Sequence, residues 1–201
     1  MSATLNTTNI KHASSGSNNI VLAADGSTTI SNLSGGGKIL QVVTAEKTTQ
    51  TSVNGTTHAD LGVTATITPT SASSKILVEY NINMYMYRSC SGCYEANASI
   101  QVLRGSTVIL VPYSLGNSPQ SSGSGYGHAD YFMSSGVGNT NLGTFLRNRH
   151  GYRLIDTPNT TSSTTYKLQG AIGYGGYLYI NKTDSASQTP KSNIILMEVA
   201  A

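Results

Sequence analysis

The chain has no tryptophan, and its 201 residues include only two phenylalanines, two cysteines and five prolines. Only 10% of the residues are charged, and the net charge of +3 comes without any run of Lys or Arg. Binding to nucleic-acid phosphates requires clustered cations, so we expect no nucleic-acid partner. No stretch approaches the roughly 20 apolar residues that cross a bilayer, and residues 1–10 lack the pattern of a secretory signal. We therefore expect neither membrane insertion nor a cleaved leader.

Small polar residues take the place of the missing types. Ser, Thr, Asn and Gly make up more than two fifths of the chain, with 21 glycines alone. Such residues are weak in helix interiors but common in turns and on sheet surfaces. Disordered chains usually combine low hydrophobicity with high net charge, and an apolar fraction of 38% at low charge argues against disorder of the body. The composition therefore predicts an all-β protein with many short strands.

One long segment, Lys75–Tyr87, has an apolar side chain at every second position. Successive strand residues point to opposite faces, so one face would carry six residues: Ile76, Val78, Tyr80, Ile82, Met84 and Met86. Glu79, Asn81 and Asn83 would lie on the other face. Pro69 and the TSASS run before the segment favour a loop that joins it to a preceding strand, Thr64–Thr68.

Further strand candidates follow at near-regular spacing with turn signals between them. They are Ile39–Val43, Leu61–Thr68, Ala96–Arg104, Thr107–Val111, His128–Ser134, Gly143–Leu146, Tyr152–Asp156, Thr164–Ile172, Gly176–Asn181 and Asn193–Val199. Roughly ten short strands without a helical period predict a two-sheet antiparallel sandwich or jelly roll over residues 38–201. The almost continuously apolar last strand fits the middle of a sheet or a subunit contact.

Residues 1–37 form a separate region of short apolar clusters between polar turns. Asp25-Gly26 marks a small hairpin there, and Gly35–Gly37 predicts a flexible joint before the body. Such a region cannot build a core alone. We interpret it as an extended N-terminal attachment arm.

Few residues suggest chemistry. Cys90 and Cys93 have the spacing of zinc and redox motifs, but no second such pair follows and the four histidines are dispersed. A pair of loop thiols or a disulfide explains them as well, and metal binding or redox catalysis would need partners from elsewhere in the fold. A hydrolytic triad could be assembled from serines, His128 or His150, and Asp130 or Asp156, but no positioning motif marks a nucleophile. We expect no enzyme activity, cofactor or metal.

Two surface features are candidate contact sites. Arg147, Arg149, His150 and Arg153 form a local basic cluster, which is either a solvated face or a contact patch for an acidic shell surface or an anionic cell-surface glycan. The Gly/Ser-rich loop Leu115–Gly127 is either a plain connector or an exposed recognition loop, in which Asn117, Gln120 and Tyr126 could contact sugars.

Several segments in a fixed order resemble a module of structural proteins from marine tailed bacteriophages. They are GKILQVV (Gly37–Val43), ITPTSASSKILVEYNIN (Ile67–Asn83), IQVLRGSTVI (Ile100–Ile109), DTPNTTSSTTYKLQ (Asp156–Gln169), YINKTDS (Tyr179–Ser185) and IILMEV (Ile194–Val199). The upstream IKHASSGSNNIVLAADGSTTI is similar to segments that precede the module. The resemblance covers roughly residues 37–201.

The resemblance implies a jelly roll like that of the tumour-necrosis-factor and complement globular-head families, usually a homotrimer. Tyrosines can be buried against a neighbour while their hydroxyls keep polar partners, and Tyr85, Tyr87, Tyr177 and Tyr179 are our candidates for the trimer contact. The implied role is capsid decoration or cementing at the virion surface after assembly in the host cytoplasm, with major capsid or tail proteins as partners. The alternatives are a tail-fibre or tail-spike tip that binds host-surface glycan and, as a third, a carbohydrate-active enzyme.

Overall fold

Every regular element that the structure describes is a β-strand. The structure is a computed structural model, and it describes residues 9–10, 14, 20–22, 24, 28–30, 38–88, 95–110, 131–134, 144–172, 176–183, 185, 187 and 190–201. The strands are β1 (Asn9–Ile10), β2 (Ile20–Leu22), β3 (Thr28–Ile30), β4 (Ile39–Lys47), β5 (Thr51–Asn54), β6 (Ala59–Ile67), β7 (Lys75–Arg88), β8 (Glu95–Arg104), β9 (Thr107–Leu110), β10 (Tyr131–Ser134), β11 (Thr144–Asp156), β12 (Thr164–Ile172), β13 (Gly176–Ile180) and β14 (Ser192–Val199).

The chain divides into two compact units, residues 1–38 and residues 39–201. In the first unit, β1, β2 and β3 form a small antiparallel sheet in that order. Leu22 on β2 pairs with Thr28 on β3, whereas the hairpin turn predicted at Asp25-Gly26 lies outside the described residues. That the unit serves as an attachment arm stays a prediction.

The second unit contains two antiparallel sheets. The smaller sheet has the order β10-β8-β12-β6, and β9 also pairs with β8. The larger sheet has the order β4-β14-β7-β13-β5, in which β14 and β13 pair with different segments of one edge of β7. Strand β11 pairs with the other edge of β7. Eight of these strands form four nested pairs, in which the earliest strand along the chain pairs with the latest and each further pair lies inside the one before. The pairs are β4 with β14, β6 with β12, β7 with β11, and β8 with β9. A long hairpin wound into two sheets gives this nested pairing, which is that of a jelly roll. The predicted all-β sandwich is confirmed.

Alternation along the strands builds the core between the sheets. All six apolar residues that the sequence placed on one face of β7 are buried, none more than 4% exposed. They pack with residues from the facing sheet such as Leu61, Ile100, Tyr166 and Leu168. Because each strand contributes every second side chain, the other face of each sheet carries the remaining residues, and any contact site must be sought there.

Strands β11, β5 and β14 differ from the sequence prediction. The segments Gly143–Leu146 and Tyr152–Asp156 belong to one strand, β11, which stays paired with β7 through Gly151 and the polar residues before it. The short polar strand β5 was missed because Thr51–Asn54 precedes Gly55 and resembles a turn. The last strand, β14, does lie in the middle of its sheet, but only one of its faces is fully buried.

A buried carboxylate fixes the loop between β6 and β7 to the end of β14. Glu198 is completely shielded from solvent. Its Oε1 accepts hydrogen bonds from the backbone N–H and the hydroxyl of Thr70, both at 2.8 Å, and its Oε2 accepts one from Gln41 Nε2 at 2.6 Å. Gln41 also donates to the Thr68 carbonyl, so three chain segments meet at one carboxylate.

These contacts set the pKa of Glu198. Burial alone would raise it, but the hydrogen bonds from Gln41 and Thr70 outweigh burial and lower the pKa to about 2. The Ser74 hydroxyl also lowers this pKa. Glu198 therefore stays ionised inside the fold at neutral pH.

Candidate functional site on the outer face of the larger sheet

An apolar row crosses the outer face of the larger sheet at one end. Met197 on β14 pairs with Val42 on β4 and with Leu77 on β7, and Leu77 pairs with Ile155 on β11. The four side chains therefore lie side by side on four adjacent strands. Val42 is 52% exposed and Ile155 is 66% exposed, while Leu77 and Met197 are half-buried. We call Val42, Leu77, Ile155 and Met197 the apolar row.

The four tyrosines that the sequence suggested for a subunit contact lie together at the other end of the same face. Tyr85 and Tyr87 on β7 pair in register with Tyr179 and Tyr177 on β13. Their rings are in contact, with centroids 5.8 Å apart for Tyr85 and Tyr179, and 6.0 Å apart for Tyr177 and Tyr179. Tyr85 is eight residues along β7 from Leu77, so roughly 27 Å separates the tyrosines from the apolar row.

Two cations lie over these rings. Lys182 Nζ is 4.2 Å from the ring centroid of Tyr85 and 4.5 Å from that of Tyr179, and Arg147 Cζ is 4.9 Å from the Tyr85 centroid. An aromatic face attracts a cation through the electrons of the ring. Unlike a carboxylate, it leaves the N–H groups of the cation able to donate hydrogen bonds to another group. In the described part of the chain, Lys182 forms no salt bridge. A pocket of about 220 Å³ opens beside Tyr85 and the two cations, with Asn83 and Pro190 on its rim.

The predicted basic cluster is not a single patch. Arg147, Arg149 and Arg153 point to the outer face, but His150 has the opposite strand phase and points inward. His150 is 8% exposed, and its Nε2 lies 3.0 Å from the hydroxyl of Tyr80. The expectation that His150 belongs to an exposed contact patch is therefore wrong, because β11 is one continuous strand. Arg153 is paired with Glu79 at 2.6 Å, which offsets its charge.

Other predicted site residues lie outside the described residues. These are Cys90 and Cys93 of the possible thiol pair or disulfide, Asn117, Gln120 and Tyr126 of the possible recognition loop, and His128 and Asp130. Their suggested roles stay predictions.

The remaining candidates for catalysis serve the fold. Asp156 accepts hydrogen bonds from Arg104 at 2.9 Å and from the Tyr166 hydroxyl at 2.7 Å, and burial followed by this hydrogen bond raises the pKa of Tyr166. A serine–histidine contact that sequence reasoning missed joins Ser99 Oγ to His58 Nε2 at 2.7 Å. Ser99 is buried, so this hydroxyl is closed to a substrate.

Within the described ranges, no three or more His, Cys, Asp or Glu side chains come together as metal ligands. Among the same residues, no helix is long and apolar enough to cross a membrane.

Comparison with known proteins gives distant structural likenesses alone. No family model and no curated protein matches the chain. A viral particle of infectious bursal disease virus is 12% identical with a TM-score of 0.34, and the match covers 86% of this chain and 39% of that one. The VP2 subviral particle of the same virus is 13% identical with a TM-score of 0.31, over 85% of this chain and 41% of that one. The chain thus spans about two fifths of the length of these structures, and scores this low support no functional inference.

Proposed function

We propose that the protein is a non-enzymatic structural component of a tailed-phage virion, in which trimers of the jelly-roll unit decorate or cement the capsid exterior. The ordered segments that resemble phage structural proteins support the virion role. The nested strand pairing supports the jelly roll that this resemblance implies. In the proposal, residues 1–37 attach the trimer to the major capsid protein.

The apolar row is the observation that carries self-association. Exposed apolar side chains scattered singly are normal, but here the exposed Val42 and Ile155 lie in one line with the half-buried Leu77 and Met197 across four strands. The Glu79–Arg153 pair lies beside this line in register. Contact between copies would remove this apolar surface from water, which stabilises the contact by about 25 cal/mol for each Å² of apolar surface buried. We therefore assign the subunit contact to the apolar row and its surroundings.

This assignment refines the tyrosine candidates. Tyr85, Tyr87, Tyr177 and Tyr179 already pack against one another and against Lys182, and of the four only Tyr177, at 38%, belongs to the exposed apolar residues. They contribute to the trimer contact only if it extends along the whole of β7.

The oligomer is tested by light scattering on size-exclusion eluates of the wild type and of Ile155→Asp. The wild type should elute at three times the chain mass of 21.0 kDa, and Ile155→Asp should shift toward monomer with its β-sheet circular dichroism intact. Val108→Asp is the matched control, since Val108 is a 39% exposed apolar residue on the smaller sheet, and it should remain trimeric. A monomeric wild type, or a trimeric Ile155→Asp variant, would contradict the proposed contact.

Copy number in purified virions separates the capsid role from the tail-fibre or tail-spike alternative. Quantitative mass spectrometry should find the chain in numbers commensurate with trimers spread over the shell. A few copies per particle would reject decoration and favour a tail tip. A chain without residues 1–37 should form the same oligomer but should no longer bind to virions from which the full-length protein is missing. If the shortened chain still binds to such virions, the assignment of residues 1–37 as the attachment arm is wrong.

A further inference from the structure

A polar stripe follows the outer face of β7 and β11, between the apolar row and the tyrosines. In register order it pairs Glu79 with Arg153, Asn81 with Gly151, Asn83 with Arg149, and Tyr85 with Arg147. These pairs repeat about every 7 Å, because every second residue of a strand faces the same side. The stripe is thus roughly 20 Å long.

Cations dominate one end of the stripe. Lys182 and Arg147 both lie within 5 Å of the Tyr85 ring centroid, beside the pocket of about 220 Å³. Arg149 is exposed at the next position. No carboxylate forms a salt bridge with Lys182 in the described ranges, so its ammonium group can donate to an anion from outside.

Asn83 supplies a hydrogen-bond acceptor beside the cationic end of the stripe. It donates through its Nδ2 to the Lys191 carbonyl, which leaves its Oδ1 as an acceptor. The Oδ1 of Asn81 is shielded from solvent, so an external hydroxyl group cannot reach it. Asn81 lines a second, shallower depression of about 280 Å³ at Gly151. A Cβ at Gly151 would lie 2.9 Å from the Tyr80 carbonyl oxygen, so glycine keeps the backbones close there.

This combination selects a ligand chemistry. Cations at this end call for anionic groups, and the amide oxygen of Asn83 beside them calls for a hydroxyl donor. Phosphate and sulfate groups at neutral pH supply charge but few donors. A saccharide that carries carboxylates supplies both. The 220 Å³ pocket is smaller than the roughly 300–1,000 Å³ of drug-sized sites and suits a single sugar ring.

We propose that the cationic end of the stripe, from Lys182 to Asn83, binds an acidic oligosaccharide, with a carboxylate at Lys182 and Arg147 and a sugar hydroxyl at Asn83. Tyr85 at this end lies roughly 27 Å from Leu77 of the apolar row, and the proposal does not require the virion role proposed above. In a virion, such a site would contact host-surface polysaccharide.

Isothermal titration calorimetry on the full chain with tetragalacturonate tests the proposal, with maltotetraose as the neutral saccharide and tripolyphosphate as the anion without sugar. Tetragalacturonate should bind to the wild type. Lys182→Gln should weaken this binding about tenfold, which is the loss of affinity expected when one hydrogen bond between charged groups is removed. Lys167→Gln is the matched control: Lys167 pairs with Asp60 on the other sheet, and its loss should leave affinity unchanged.

The other probes decide the ligand class. Asn83→Ala should weaken tetragalacturonate binding while leaving any tripolyphosphate binding unchanged. Absence of tetragalacturonate binding would overturn the proposal. So would equal binding of maltotetraose, or tripolyphosphate binding as tight as that of tetragalacturonate. The oligomeric state and virion content are measured separately, so these outcomes leave the proposed function untouched.

Discussion

Replacing Glu198 by Gln tests how a charge is held inside the sandwich. The substitution keeps the shape of the side chain but removes the negative charge that Gln41 and Thr70 stabilise. If the new amide presents its N–H₂ to Gln41, one hydrogen bond becomes a contact between two donors. If the amide is flipped, it is Thr70 that faces the N–H₂. Either way one acceptor is lost.

The expected cost follows from these contacts. A hydrogen bond to a charged group contributes about 1.5–3 kcal/mol, so Glu198→Gln should lower the free energy of unfolding by roughly 2 kcal/mol at pH 7. For a chain of this size that is a fall in Tm of roughly 4–8 °C. Glu46→Gln is the matched control, because Glu46 forms an exposed ion pair with Lys191 on the same sheet. Its cost should stay below about 1 kcal/mol.

The pH dependence gives the sharper test. The pKa of Glu198 is lowered from 4.5 to about 2 in the fold, so the stability from its ionised form is complete above pH 4.5 and is lost as the pH falls through 2. Urea unfolding followed by circular dichroism should therefore show a constant gap between wild type and Glu198→Gln from pH 6 to 8. The gap should narrow between pH 4.5 and 2. A gap that stays constant down to pH 2, or is absent at pH 7, would refute the reasoning.

Substitutions at three further sites test the packing. Ile82→Asp places a charge at a position with 0% exposure and should prevent folding, whereas Ile82→Val should cost about 0.5–1.5 kcal/mol; soluble, normally melting Ile82→Asp protein would contradict the phase of β7. In Gly170→Ala, the new Cβ would lie 2.8 Å from Leu178 Cδ2 and 3.0 Å from Leu61 Cδ2. We therefore expect the free energy of unfolding in urea to fall by about 1–3 kcal/mol. Unchanged stability would show that these two leucines move aside without cost. In Asn181→Ala, the Lys47 carbonyl and the Ser192 hydroxyl lose their partners, which should cost about 2–3 kcal/mol by thermal melting; a cost near zero would mean that water replaces the amide.

The fold could be predicted from the sequence where alternation is strong. The buried face of β7 was predicted residue by residue, because six apolar side chains alternate with polar ones and no helix would gather them on one side. Alternation failed for β11, where polar residues and Gly151 interrupt the apolar pattern and suggest two strands. Its continuity depends on pairing with β7, which is a tertiary contact.

The candidate site was less accessible to sequence reasoning. The apolar row combines Val42, Leu77, Ile155 and Met197, which are far apart in the chain and meet only through the register of four strands. The inward position of His150 had a signal that could have been used. It is offset by an odd number of residues from all three arginines, so any single strand through this segment places it on the opposite face.

Electron cryo-microscopy of the intact phage particle tests the central claim most directly. We expect density for the jelly-roll unit in groups of three on the outside of the capsid, with the apolar row of each copy turned toward the neighbouring copies. Density for the chain only at the tail, or its absence from purified particles, would contradict the account.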